Sequence, residues 1–354
     1  MAYTDIDKPS DYFETILYSG NGGTQSITSL DFQPDWCWLK ARAGANVSDH
    51  RSVDSVRGAT KELFQNATAD EETNTNGLTA FNSNGFSLGS SGGTNNSNTT
   101  YASWNWKAGT TGSGTTTGSG TGKAYSYSVN TTSGFQITKY LGNGTLGHTI
   151  PNHTGKIPTM IIFKQLDATR GWGVYHKNLG ATKIIYLDED IALQSIENNQ
   201  WMNGTVPTSS VITLGTLNEQ NINDKNYIMY SFSDVQSFSK MGSYIGGGSS
   251  FPFIYTGFKP AFIIQKRSDA QHDWQLHDNK RGQYFPGNVV NNRIQPNANN
   301  AEGTGDDIGY DFLSNGFKIR TSNANYNASG SVYIFMAFAS NPFTTSTGVP
   351  ATAR

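Results

Sequence analysis

Tyr18-Ser19-Gly20-Asn21-Gly22 recurs as Tyr140-Leu141-Gly142-Asn143-Gly144 and again as Tyr244-Ile245-Gly246-Gly247-Gly248. A proline follows the first glycine of each motif by 14, 16 and 14 residues, at Pro34, Pro158 and Pro260. A lysine stands six residues past each proline, at Lys40, Lys164 and Lys266. Ordered matches at a spacing of about 100 residues point to one unit copied three times, and repeat structure is read before any local motif.

The copies stay in register downstream. His50, Trp172 and Trp274 each have a polar partner four residues on, at Asp54, His176 and Asp278, and glycines close this stretch at Gly58, Gly180 and Gly282. Apolar strands begin at Phe86, Ile212 and Phe317, and a tyrosine follows each at Tyr101, Tyr227 and Tyr333. Six residues before each tyrosine stands an asparagine, at Asn95, Asn221 and Asn327. Repeats 1 and 3 also share Ser-Asn-Gly-Phe, ending at Phe86 and Phe317.

Composition narrows the class. Among 354 residues only 15 % are charged, 12 % are aromatic and 39 are glycine, the profile of an all-β chain with many tight turns. Short apolar runs such as Met160-Ile161-Ile162-Phe163 and Phe262-Ile263-Ile264 read as core strands, and Asn-Gly pairs such as Asn84-Gly85 and Asn315-Gly316 as hairpin turns. The fold class expected is all-β, with tandem antiparallel β-sandwich, jelly-roll-like repeats. Val56 to Asn66 and Asp188 to Asn198 are the two segments expected to form short helical turns.

The net charge of −2 offers no field for a polyanion, so nucleic acid is not an expected partner. The longest apolar run, Tyr333 to Ala339, is too short to cross a bilayer, so membrane insertion is not expected either. The N-terminus has neither the basic nor the apolar region of a signal peptide. Cys37 is the only cysteine, which excludes an intramolecular disulfide; between Trp36 and Trp38 it reads as a buried strand thiol.

Residues 1–108 are assigned to repeat 1, 123–235 to repeat 2 and 236–342 to repeat 3. Residues 109–122, wholly Gly, Ser and Thr, read as a flexible linker or a long exposed loop. Apolar residues run unbroken across 232–241, so repeats 2 and 3 are expected to pack together. The tail, 343–354, reads as disordered alone or docked on a partner.

For chemistry, the aromatic-plus-polar pairs are the candidates: Trp172 with His176, Trp274 with Asp278, and His50 with Asp54. A ring face beside hydrogen-bonding groups can stack on a sugar's C–H face, although the same pairs could serve as core and turn clamps. Asp54 with Arg57, and Asp278 with Arg281, read as local ion pairs or turn clamps, with exposed pairs of this kind contributing about 0–1 kcal/mol. The lysine stems are expected to cover apolar surface while their amines stay wet. The acidic runs at 70–72, 188–190 and 306–307 are read as solvated charge, with no calcium-loop spacing. No hydrolase, phosphate-loop or zinc signature is present, so catalytic and metal residues and cofactors are all set at none.

The run from Tyr18 through Phe32-Gln33-Pro34-Asp35-Trp36, Asp54-Ser55-Val56-Arg57-Gly58 and Phe81 to Phe86 resembles repeated domains in virion proteins of tailed bacteriophages, including phages of marine bacteria. Phe238 to Tyr244, Tyr255 to Ala261 and Phe312 to Phe317 are similar to the same family. The resemblance implies a non-enzymatic fibre, spike or capsid-decoration component located in the virion. Its implied partners are other virion proteins, further copies of itself as a homo-oligomer, and host-surface polysaccharide. A glycan-degrading tail depolymerase is the alternative. Repeat 2 departs from its neighbours, with His176 in place of aspartate and Leu179 in place of arginine.

Overall fold

In Trp36-Cys37-Trp38-Leu39-Lys40 every side chain is buried, yet successive side chains of a strand point to opposite faces. Such a strand needs two cores. A computed structural model, which describes residues 3–282, 289–305 and 307–350, supplies both. Trp36 and Trp38 enter one apolar cluster, and Cys37 and Leu39 enter another. The same split occurs in repeat 2 (Met160 and Ile162 against Ile161 and Phe163) and in repeat 3 (Phe262 and Ile264 against Ile263).

The chain is all-β, built from antiparallel sheets, and the inner sheet of each repeat holds the same four strands in a constant order; in repeat 2 these four lie within an eight-stranded sheet extended at both edges. A lead strand (Phe13–Ser19, Phe135–Leu141, Ser239–Ile245) pairs with a closing strand (Thr99–Trp106, Asn226–Ser233, Val332–Pro342). The closing strand pairs with a lysine strand (Trp36–Gly44, Pro158–Gln165, Phe258–Arg267), and that with a clasp strand (Arg51–Asp54, Gly173–His176, Gln275–Asp278). An outer sheet, of three strands in repeats 1 and 2 and four in repeat 3, covers each inner sheet and encloses that repeat's private core.

The opposite faces of the three inner sheets meet in one shared core. It joins Trp36, Trp38, Trp104 and Trp106 of repeat 1 to Trp172, Tyr230 and Phe232 of repeat 2, and to Phe262, Trp274 and Phe338 of repeat 3. Trp36 stacks on Tyr230 with ring centroids 4.4 Å apart, and Phe13 stacks on Phe338 at 4.9 Å. All three repeats therefore pack on one another, where the sequence suggested only repeats 2 and 3.

The Gly/Ser/Thr segment is corrected. Thr110–Thr115 pairs with Ala124–Asn130 at the edge of repeat 2's sheet, and Thr117–Gly118 joins that repeat's outer sheet. Small side chains are what this position requires: a Cβ on Gly112 would lie 2.6 Å from the Tyr127 hydroxyl. The two segments expected as helical turns hold turns and short strands (Lys61–Glu62, Gln194–Ser195) instead. The four-residue helices fall at Gly92–Asn95 and Ala324–Asn327, just before the closing strands. In the tail, Thr344 bridges Pro350 and Ser346 bonds Asp7; residues 351–354 lie outside the described residues. Cys37 is buried, as expected.

The recurrent Tyr-x-Gly-x-Gly has a geometric cause. A Cβ on Gly20, Gly142 or Gly246 would sit 2.1, 2.3 or 2.2 Å from the carbonyl oxygen of Asn96, Ile222 or Ala328. The motif tyrosines stack on the closing tyrosines, with Tyr18–Tyr101, Tyr140–Tyr227 and Tyr244–Tyr333 centroids 5.0, 5.3 and 4.8 Å apart. Asn95, Asn221 and Asn327 tie the turn down: each accepts from its backbone through Oδ1 and donates to carbonyls through Nδ2. The sequence-wide signature is thus one turn–tyrosine–asparagine lock, made three times.

Candidate functional site

Lys40, Lys164 and Lys266 end the inner-face row of the lysine strands and are fully buried, which corrects the expectation of wet amines. The Nζ of Lys40 donates to Asn299 O of repeat 3 at 3.2 Å, that of Lys164 to Thr68 O of repeat 1 at 2.8 Å, and that of Lys266 to Asp190 O of repeat 2 at 3.0 Å. Each also donates to a carbonyl of its own repeat. Burial pushes all three amines down to about 8.

The aromatic candidates make the same crossing. Trp172 Nε1 donates to Phe64 O at 2.8 Å, Trp274 Nε1 donates to Tyr186 O at 2.7 Å, and His50 Nε2 lies 3.1 Å from Gln295 O. His50 is itself positioned by Trp38, whose Nε1 donates to His50 Nδ1 at 2.8 Å. Backbone bonds repeat the pattern: Glu71 N to Leu166 O, Leu193 N to Ser268 O and Glu302 N to Arg42 O. Repeat 1 reaches repeat 3, repeat 2 reaches repeat 1 and repeat 3 reaches repeat 2, so the contacts close a ring.

The polar partners complete it. Asp54 Oδ2 accepts from the Tyr230 hydroxyl of repeat 2 at 2.7 Å, and Asp278 Oδ2 accepts from Trp104 Nε1 of repeat 1 at 2.9 Å. Both carboxylates also hold an arginine three residues on, and the Arg57 and Arg281 side chains are fully buried rather than exposed as expected. Each arginine continues to a carboxylate, Glu71 at 3.3 Å or Glu302 at 2.8 Å. At the third boundary the residue arriving opposite is Met336, which has no hydrogen to donate. There His176 meets Phe335 O at 3.2 Å, Leu179 packs on the shared core, and Leu193 stands where the other repeats have glutamate. Burial holds the His176 imidazole at about 4, hence neutral. What the sequence showed as drift in repeat 2 is a matched exchange of a charged network for an apolar one.

His50, Asp54, Trp172, His176, Trp274 and Asp278 are therefore brought into one shared framework, but none is open to a ligand: each is at most 1 % exposed. With both faces enclosed, these rings cannot stack on a sugar. The sequence reading also missed the loop residues that receive the clasp. Asn66, Asp188 and Asn297 accept from the backbone N–H of His50, Trp172 and Trp274 at 2.8, 2.8 and 2.9 Å. Asn66 and Asp188 each stand 16 residues past His50 and Trp172, which was the available signal, and a longer loop in repeat 3, 23 residues from Trp274 to Asn297, hid it. Asp188 is in this way a structural acceptor and not solvated charge; Asp306 lies outside the described residues.

A family described as a domain of unknown function, DUF7483, matches residues 8–342. The chain belongs to that family. The match spans all three repeats, so this DUF7483 domain is the interlocked ring and not one sandwich of it. Searches of curated proteins and of solved structures give no match. Among the described residues, no cluster of three or more His, Cys, Asp or Glu side chains could hold a metal ion, and no helix is long and apolar enough to cross a membrane.

Proposed function

We propose that this DUF7483 chain is a non-enzymatic structural component of a tailed-phage particle, carried on a fibre, spike or capsid surface and made for adhesion or decoration. The observation that carries the reading is the clasp: the most chemically capable side chains of all three repeats are spent on holding the repeats to one another. That is the arrangement of a part selected for rigidity, and it agrees with the resemblance to virion proteins. Adhesion to glycans, if retained, belongs to the outer surface and not to Trp172 or Trp274. Mass spectrometry of purified particles from a phage encoding the chain tests the proposal: the protein is expected at structural copy number, and its absence from the particle would refute the reading.

A further inference from the structure

Exposed aromatic rings are costly, and repeat 3 carries a file of them. Phe251, Phe253 and Tyr255 are 45, 46 and 51 % exposed. They occupy alternate positions of one extended stretch, so they share a side and stand about 7 Å apart. Phe253–Tyr255 is the edge strand of its outer sheet. The Phe253 ring lies over Gly316, where a Cβ would come within 2.8 Å of it. Bare backbone beneath the ring leaves its other face to solvent.

At the Tyr255 end the file runs into a groove of about 280 Å³, walled by the hairpin between repeats 2 and 3. Tyr3, Gln236, Ser237 and Lys240 line it beside Tyr255. The Tyr3 and Tyr255 hydroxyls are 3.4 Å apart. Lys240 Nζ lies 5.4 Å from the Tyr255 ring centroid and donates to Tyr255 O at 3.0 Å, which fixes the ring. Ser237 is only 2 % exposed and its Oγ has no hydrogen-bond partner. Its backbone is left-handed, at φ 63°, a conformation that favours glycine or asparagine. The carboxylate in the wall, Asp234, is already engaged by Thr159, the Met241 N–H and Lys177, so the groove presents no free carboxylate.

We propose that this groove and the adjoining aromatic file form a binding site for a neutral oligosaccharide. The rings would take the C–H faces of successive sugars, while Gln236, Lys240 and Tyr3 meet the hydroxyls of the unit in the groove. The site rests on the adhesive reading above and gives it a place. A second copy of the chain is the competing occupant. The file is one ring wide and ends in polar groups with open valences, which suits a sugar chain better than a protein face.

Affinity electrophoresis of the full chain through gels containing glycogen, laminarin, mannan or galactomannan tests the proposal. Retardation by at least one of them is expected, weakened at least tenfold by Tyr255→Ala and by Phe253→Ala. Ile245→Ala, at a residue 66 % exposed on a different sheet, should leave it unchanged. Unchanged circular dichroism and melting temperature would establish that the variants fold. The proposal is overturned by no retardation in any gel, by retardation that survives both aromatic substitutions, or by equal loss in Ile245→Ala. Sedimentation showing that Tyr255→Ala merely dissolves a dimer also overturns it. None of these results bears on whether the protein is in the particle, which mass spectrometry decides separately.

Discussion

Trp104 Nε1 donates to Asp278 Oδ2 at 2.9 Å, joining the closing strand of repeat 1 to the clasp strand of repeat 3. The same carboxylate accepts from Arg281 Nε at 2.5 Å, so one buried oxygen serves a boundary and a local ion pair at once. Removing it should strand a buried guanidinium and an indole N–H together. Asp278→Ala is expected to lower stability by about 3–5 kcal/mol, and Asp278→Ala with Arg281→Leu by less than the single change, since the uncompensated charge is gone. Urea denaturation of both variants checks this; a double variant less stable than the single one would contradict it.

The buried lysines give a pH signature of unusual sign. Their folded values, about 8, lie below the unfolded value of roughly 10.4. Between the two the unfolded chain binds more protons, so stability should rise with pH from about 8 toward 10. Buried tyrosines work the other way: burial raises Tyr18, Tyr140 and Tyr244, and the stability they contribute fades above roughly pH 10. The urea midpoint is therefore expected to climb from pH 7.5 to about 9.5 and then fall. Replacing Lys40, Lys164 and Lys266 with Met should flatten the climb.

On the acid side the histidines dominate. Burial depresses His50 and His277 well below the ordinary value and His176 to about 4. A depressed folded value means stability present above roughly pH 6.5 and lost as pH falls through that value toward the folded ones. Melting temperature should drop between pH 6.5 and 5, before most carboxylates titrate. His176→Gln, which keeps a donor for Phe335 O, should lessen the drop; an unchanged slope would remove His176 from the account.

The shared core predicts one cooperative unit. Trp172→Ala opens a cavity in the shared core and deprives Phe64 O of its donor, and should destabilise the protein by about 3–5 kcal/mol. Calorimetry is expected to show a single transition for the whole chain. A fragment of residues 236–342 alone would expose Phe262, Trp274, Met336 and Phe338 and should fail to fold as a monomer. Three separable transitions would refute the shared core.

Gly20→Ala probes the turn lock. Its Cβ would sit 2.1 Å from Asn96 O, and backbone cannot move aside cheaply. A loss of about 1–3 kcal/mol is expected. Gly155→Ala is the contrast: it has a positive φ of 70° but open space around it, so strain alone should make its effect smaller.

The private parts of each repeat were legible in sequence because they lie within one copy. Tyr18, Gly20, Asn95 and Tyr101 sit in one turn lock, and their spacing survives copying. The strands were legible for the same reason, from turn glycines and short apolar runs. The clasp was not, because its logic lies between copies: Asp278 is intelligible only beside Trp104, and His176 only opposite Met336. Trp172 and Trp274 looked like ligand platforms because a tryptophan that crosses a boundary and one that faces solvent have the same neighbours in sequence. The Gly/Ser/Thr segment misled because small residues serve a flexible chain and an edge strand lying against tyrosines equally well.

The direction of the clasp has a numerical consequence. Each repeat reaches to one neighbour and is reached by the other, and at three members no hand and no receiving loop is left over. An open array can lengthen by one more duplication. In this one a fourth member would have to break an existing handhold to enter, and the loss of one would leave both a donor face and an acceptor face bare.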